Sequence, residues 1–187
     1  TIILAGRIFD AANDPIMGMI VDRTRTKWGK MRPYLLFSPI PIAITTILLF
    51  WAPGFASSGA KIAYAAVTYI LWGVMFTIQD VPFWGLSAVI TPNEQERTSF
   101  LSTARLGSTF GGILPSLLIP VLRNSTLGLK NGYLVGAVIF ALLGAALSSL
   151  AFFNTKERVE QSEKTPSLKE SIQMVAKNKL LLIVIMA

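Results

Sequence analysis

Long apolar segments, separated by short clusters of charged residues, are the feature that most restricts how this chain can fold. A helix needs about 20 predominantly apolar residues to cross a lipid bilayer, and several segments here reach that length. Only 14% of the 187 residues are charged, whereas soluble domains contain about 25%. The sequence therefore predicts an all-α membrane protein whose helices cross the bilayer several times.

The hydrophobic pattern predicts five membrane-spanning helices, at residues 1–21, 34–52, 62–90, 99–122 and 132–153. The third is longer than a bilayer requires, and Pro82 is expected to bend or break it, because proline lacks the N–H of a helical hydrogen bond. Residues 180–187 begin a further apolar segment. The chain starts inside an apolar stretch and stops inside another, so we expect a fragment of a longer protein.

The basic residues are concentrated in alternate connections. Those at 22–33, 91–98 and 154–179 contain 12 of the 17 lysine and arginine residues, and those at 53–61 and 123–131 contain three. Connections rich in lysine and arginine stay on the cytoplasmic side of a membrane. We therefore predict a multi-pass protein of the cell membrane with loops 22–33, 91–98 and 154–179 in the cytoplasm.

The last of these connections, a central loop at 154–179, contains a pattern typical of a helix start. Ser167 and Glu170 have the spacing of a capping box, and apolar residues around them recur at helical intervals. These features predict a short amphipathic helix that lies on the cytoplasmic surface of the membrane. An unstructured linker is the alternative.

Composition excludes several classes of function. Cysteine and histidine are both absent, which excludes disulfide frameworks, thiol chemistry and histidine-based catalytic triads. The phosphate-binding loop Gly-x-x-x-x-Gly-Lys-Ser/Thr is also absent. The net charge of +7 comes from short loops beside apolar segments, so membrane topology explains it better than a nucleic-acid partner does. We expect neither an enzyme nor a bound cofactor.

Ionisable residues inside predicted spans mark candidate sites, because a charge in a bilayer is costly. In the first helix, Arg7, Asp10, Asn13 and Asp14 fall on one face about 80° wide. The two carboxylates would repel each other, and a hard cation prefers such oxygen ligands. A proton on one of them would also relieve the repulsion. The alternative is an Arg7–Asp10 ion pair that joins helices, with Asp14 in water.

The third predicted helix has a second polar face, made of Gly73, Thr77, Asp80 and Trp84. A carboxylate that accepts hydrogen bonds from hydroxyl groups, beside an aromatic ring, is typical of sugar-binding sites. The alternative for Trp84 is an anchor at the membrane interface. On the fourth helix, Arg105 is either the partner of an acidic residue or a donor to substrate hydroxyls.

Two glycine pairs have the spacing of close helix–helix contacts. Gly107 and Gly111 lie on the fourth predicted helix, and Gly132 and Gly136 on the fifth. Small residues four positions apart let two helix backbones approach each other in a membrane. We interpret both pairs as packing surfaces and not as binding sites.

Two stretches of the sequence resemble a known transporter family. The first contains Asp10-Ala-Ala-Asn-Asp14-Pro and continues through a basic loop to Trp28-Gly-Lys30, and the second is Thr77-Ile-Gln-Asp80-Val-Pro-Phe-Trp84. Both resemble the glycoside–pentoside–hexuronide:cation symporters, the melibiose permease family of the major facilitator superfamily. The resemblance extends over that family's helices two to six and its central loop. It implies a partial N-terminal helical bundle without the family's first helix or its C-terminal half.

The resemblance also implies roles for individual residues. Asp10, Asn13, Asp14 and Thr77 match the family's coupling-cation site for Na⁺, Li⁺ or H⁺, which would be the only metal-binding site. The family's sugar-binding positions correspond to Asp80, Trp84 and Arg105, and its conformational loop between helices two and three corresponds to Gly18, Asp22, Gly29 and Lys30. The implied partners are a small-molecule sugar, a monovalent cation and the lipid bilayer.

Sugar:cation symport by alternating access is the function that this resemblance implies. Two alternatives remain at the level of sequence. One is a transporter of the same fold that carries a lysolipid or a drug. The other is a membrane interaction protein that transports nothing, but such a protein has no need for Asp10, Asp14 and Asp80 at positions that face a cavity.

Overall fold

The computed structural model describes residues 2–51, 53–54, 57–125 and 128–159. These residues form six helices and no strand, with one isolated bridge between Thr26 and Gly29. The predicted all-α class is therefore confirmed. The helices are α1 (Ile2–Arg23), α2 (Arg32–Phe37), α3 (Pro39–Phe50), α4 (Ser58–Ile90), α5 (Glu94–Asn124) and α6 (Gly128–Asn154).

Among the described residues, three helices are long and apolar enough to cross a membrane. They are α4, α5 and the segment Asn131–Asn154 of α6, and Pro39–Phe50 is a shorter apolar helix. α1 has 22 residues, but Arg7, Asp10 and Asp14 reduce its apolar character. The division into five spans stays a prediction, and so does the amphipathic helix, because 160–187 lie outside the described residues.

Proline interrupts a different span from the one predicted. α4 continues through Pro82 over 33 residues, so the predicted break there is wrong. The second span is instead divided at Ser38, just before Pro39 and Pro41. Proline at 39 cannot donate to the carbonyl of Leu35, and the Ser148 hydroxyl of α6 donates to that carbonyl at 3.2 Å. A neighbouring helix thus replaces the missing bond, as membrane helices require.

α4 occupies the centre of the arrangement. It packs against α1, α2, α3 and α5, while α6 packs against α2, α3 and α5. The buried apolar cluster consists of Leu35, Leu86, Val89 and Phe152, which lie where α2, α4 and α6 end together. α5 has no buried residue, and apolar side chains such as Phe110, 65% exposed, cover its surface. An apolar exterior is what a lipid environment requires.

The three connections predicted to be cytoplasmic begin at one end of this arrangement. The backbone N–H groups of Arg158 and Val159 donate to the carbonyl of Val89, near the end of α4, at 2.8 and 3.0 Å. Trp28, in the connection after α1, contacts Phe152 edge to face at 5.7 Å between ring centroids. Helices that cross a membrane in alternate directions would place these connections on one side.

Close packing by glycine is confirmed for one of the two pairs. A Cβ on Gly132 would lie 2.7 Å from the Arg123 Cα and the Leu122 carbonyl oxygen of α5, and one on Gly136 would lie 3.2 Å from Ile119. At Gly107 and Gly111 no described atom lies within 4 Å of such a Cβ. The glycines of α6 therefore set the distance between α5 and α6.

We expect Gly132→Ala to destabilise the protein by about 1–3 kcal/mol, because a backbone that is already in contact cannot yield to an added methyl group. The control is Gly144→Ala on the same helix, where a Cβ meets nothing within 4 Å. The measurement is the thermal midpoint of the purified full-length protein in detergent. A midpoint as high for Gly132→Ala as for Gly144→Ala would contradict the packing described here.

Candidate functional site

The polar faces of α1 and α4 meet. Gly6 of α1 lies so close to α4 that an added Cβ would overlap the Tyr69 ring. Two turns further along α1, Asp14 is exposed, and its Oδ1 accepts a hydrogen bond from the Thr77 hydroxyl of α4 at 3.1 Å. Thr77 itself is only 4% exposed. Two residues of the predicted cation site are thus in direct contact.

Asp80 lies one helical turn after Thr77 and is in contact with Trp84. The indole Nε1–H of Trp84 donates to Asp80 Oδ1 at 3.1 Å. From α5, the guanidinium carbon of Arg105 lies 5.7 Å from the centroid of the Trp84 ring, within the range of a cation–π contact. The three residues predicted to bind sugar therefore form one connected group, with Trp84 between the carboxylate and the guanidinium.

A cavity of about 310 Å³ joins the two groups of residues. Its lining consists of Asp14, Tyr69, Trp72, Gly73, Phe76, Thr77 and Asp80. The volume is at the lower end of the range for small-molecule sites, about 300–1,000 Å³. Two carboxylates and a hydroxyl group thus border one space, where a bound cation would offset the repulsion between the carboxylates.

Three aromatic residues of α4 form a wall of this cavity that sequence reasoning missed. The Trp72 ring stacks on Phe76 at 5.2 Å between centroids, and on Tyr69 at 6.4 Å. The Trp72 indole Nε1–H donates to the Thr46 hydroxyl of α3 at 3.0 Å, which fixes the ring. Positions 69, 72, 73 and 76 recur at helical spacing, and this signal was present in the sequence.

Two other residues predicted for the cation site have less complete descriptions. Asn13 is half-buried on α1. Asp10 lies in α1 one turn before Asp14, and its side chain is outside the described part of the structure, as is that of Arg7. Oxygen ligands for a cation are therefore described at Asp14 and Thr77.

The residues assigned to the conformational loop lie around the turn between α1 and α2. Gly18 and Asp22 are in the last two turns of α1, and the carbonyl of Asp22 accepts a hydrogen bond from Arg25 Nη1 at 2.7 Å. Gly29 closes the turn by donating its N–H to the carbonyl of Thr26 at 3.1 Å. Its φ of +103° is in the region that favours glycine.

A family profile described as MFS/sugar transport protein matches residues 1–187. The chain is 35% identical over 180 residues to the inner membrane symporter YicJ of Escherichia coli K12, covering 95% of the chain and 39% of that protein. It is 38% identical over 160 residues to the putative glycoside/cation symporter YagG of the same organism, covering 84% of the chain and 35% of that protein. It is 35% identical over 185 residues to the isoprimeverose transporter of Lactiplantibacillus pentosus, covering 95% and 38%. The chain thus spans less than two fifths of each relative.

Proposed function

The chain belongs to the MFS/sugar transport protein family, and we propose on this basis that the whole protein is a sugar:cation symporter. In this proposal two helical bundles move around a site near the middle of the membrane, which opens to each side in turn. The chain contributes helices of one bundle and one wall of the site. A transporter family also accounts for the partial helical bundle and the multi-pass membrane location, and it confirms that the chain is not part of an enzyme.

The cavity between α1 and α4 is the observation that carries this proposal. Asp80 offers acceptor oxygens to sugar hydroxyl groups, and the aromatic residues Trp72 and Phe76 offer flat faces to the C–H groups of a sugar ring. Arg105 donates to oxygen atoms of the substrate from the opposite side of Trp84. A polar group and an aromatic wall in the same cavity favour a carbohydrate over a lysolipid or another apolar substrate.

The coupling cation belongs to the Asp14–Thr77 contact in this proposal. A carboxylate and a hydroxyl oxygen from two helices are suitable ligands for Na⁺ or Li⁺, with Asn13 and Asp10 as further oxygen donors from α1. A proton on Asp14 would serve the same purpose. Because Asp14 and Asp80 line one cavity, a cation at Asp14 reduces the negative potential around Asp80 and prepares it for a neutral sugar.

Uptake of radiolabelled sugars into vesicles that contain the full-length protein tests this function. The panel contains glycosides, pentosides and hexuronides, each measured with and without a Na⁺, Li⁺ or proton gradient. We expect at least one sugar to accumulate against its gradient when a cation gradient is present. Uptake of no sugar under any gradient, with a correctly folded protein, would reject the proposal.

A further inference from the structure

Glu157 binds a loop that lies far from it in the sequence. Its Oε1 accepts hydrogen bonds from the backbone N–H groups of Met31 at 2.8 Å and Arg32 at 3.0 Å, and its Oε2 accepts one from Lys30 at 3.0 Å. The three donors precede Glu157 by 125 to 127 residues. Three consecutive N–H groups that converge on one carboxylate form a specific contact, because bonds to a charged acceptor are shorter and stronger than neutral ones.

The contact supplies a helix cap that the local sequence lacks. The first N–H groups of a helix have no acceptor inside it, and a serine, threonine, asparagine or aspartate usually provides one. At the start of α2 the capping position is Met31, which makes no such side-chain bond. Glu157 takes over this function from the segment that follows α6.

Gly29 makes room for the Glu157 carboxylate. A Cβ at position 29 would overlap the carboxylate carbon and both of its oxygens, and the φ of +103° would strain any other residue. The absence of a side chain at Gly29 therefore serves two purposes, which are to form the turn and to admit Glu157. The loop and the segment after α6 fit each other.

Neighbouring contacts strengthen this connection. The Arg32 guanidinium donates from Nη2 to the carbonyl of Phe152 at 2.8 Å and lies 4.7 Å from the centroid of its ring. The N–H groups of Arg158 and Val159 bind the end of α4 at Val89. Residues 155–159 are thus attached to α2 and α4 before the chain continues into its central loop.

We infer that Glu157 is a positioning residue that holds the loop at residues 24–31 in one conformation and connects it to the start of the central loop. This inference rests on the proposed transport function and extends it to the control of the conformational change. The loop is held in this form while the segment after α6 remains attached. Movement of that segment, as the rest of the protein changes conformation, releases three N–H groups of the loop together.

The test uses the full-length transporter with Glu157→Ala, Glu157→Gln and Gly29→Ala. Glutamine retains one acceptor oxygen but turns an N–H₂ group toward a donor, so it should have an intermediate effect. Glu94→Gln is the control, because Glu94 is an exposed carboxylate in another connection at the same end. Hydrogen exchange of the Lys30, Met31 and Arg32 amides is measured together with sugar affinity and the maximal rate of uptake.

In Glu157→Ala and Gly29→Ala we expect these amides to exchange at least about 10-fold faster and the maximal uptake rate to fall by about 10-fold, since each corresponds to the loss of bonds to a charged acceptor. Sugar affinity should change by less than about twofold, because the cavity between α1 and α4 does not include these residues.

Unchanged exchange in Glu157→Ala would overturn the contact itself. Faster exchange with a normal uptake rate would reduce Glu157 to a helix cap and overturn the positioning role, and so would an equal loss of rate in Glu94→Gln. A protein that transports no sugar at all would reject the proposed function separately, because the exchange measurement does not depend on transport.

Discussion

Replacement of Asp14 by cysteine is expected to abolish the stimulation of sugar uptake by cations in the full-length transporter. Asp14 supplies a cavity-facing carboxylate, and it accepts a hydrogen bond from Thr77 at 3.1 Å. Without this charged oxygen ligand, a hard cation loses its strongest partner among the described residues. Sugar binding that needs no cation should persist, because Asp80, Trp84 and Arg105 are unchanged. Initial uptake rates with and without Na⁺, Li⁺ or a proton gradient provide the measurement.

Two variants at the neighbouring position serve as matched controls for this result. Thr77→Ser keeps the hydroxyl group and should keep cation stimulation. Thr77→Val removes the hydroxyl group at similar volume and should weaken stimulation without abolishing it, since the carboxylate remains. Stimulation that survives in Asp14→Cys would remove Asp14 from the cation site, and the carboxylate of Asp10 would then be the next candidate.

Replacement of Asp80 by asparagine should weaken equilibrium sugar binding by about 10-fold to 100-fold, because hydrogen bonds to a charged acceptor contribute roughly 1.5–3 kcal/mol. One carboxylate oxygen already accepts the Trp84 indole N–H at 3.1 Å, so the other is available for substrate hydroxyl groups. An asparagine that keeps the bond to Trp84 presents donors where the sugar needs acceptors. Binding of labelled sugar to the full-length protein in membranes provides the measurement.

Trp84→Phe is the companion variant and should weaken binding less than Asp80→Asn does. Phenylalanine keeps an aromatic face for the sugar and for Arg105, and it loses the indole N–H that orients Asp80. Folding is verified separately by the thermal midpoint of each variant. Normal sugar binding in Asp80→Asn, together with a lost response to cations, would assign Asp80 to the cation site and exclude it from the sugar site.

Much of the candidate site could be predicted from helical periodicity. Positions 77, 80 and 84 lie on one face because a helix repeats every 3.6 residues, and the structure places Thr77 and Asp80 in one cavity with Asp14 of α1. Periodicity within one helix does not say which face of another helix it meets. The contact of Asp14 with Thr77 and the position of Arg105 over Trp84 therefore became geometric facts only with the fold.

The proline positions show a different limit. Proline removes one N–H wherever it occurs, but its effect depends on what neighbouring helices donate in return. α4 continues through buried Pro82, whereas the span with Pro39 and Pro41 is divided at Ser38, where Ser148 binds the released carbonyl of Leu35. The two closely spaced prolines were visible in the sequence. The serine that compensates for one of them comes from a helix more than 100 residues later.

The sequence by itself determined the features that depend on local order. Apolar length decides that a segment forms a helix in a membrane, the spacing of polar residues decides which side chains share a face, and the family pattern in α1 and α4 identifies a transporter. Only the tertiary structure decided that Trp72 and Phe76 form a wall of the cavity and that Glu157 caps α2. The physical reason is that such contacts join residues from separate helices, and a partner 125 to 127 residues away leaves no periodic trace in the chain.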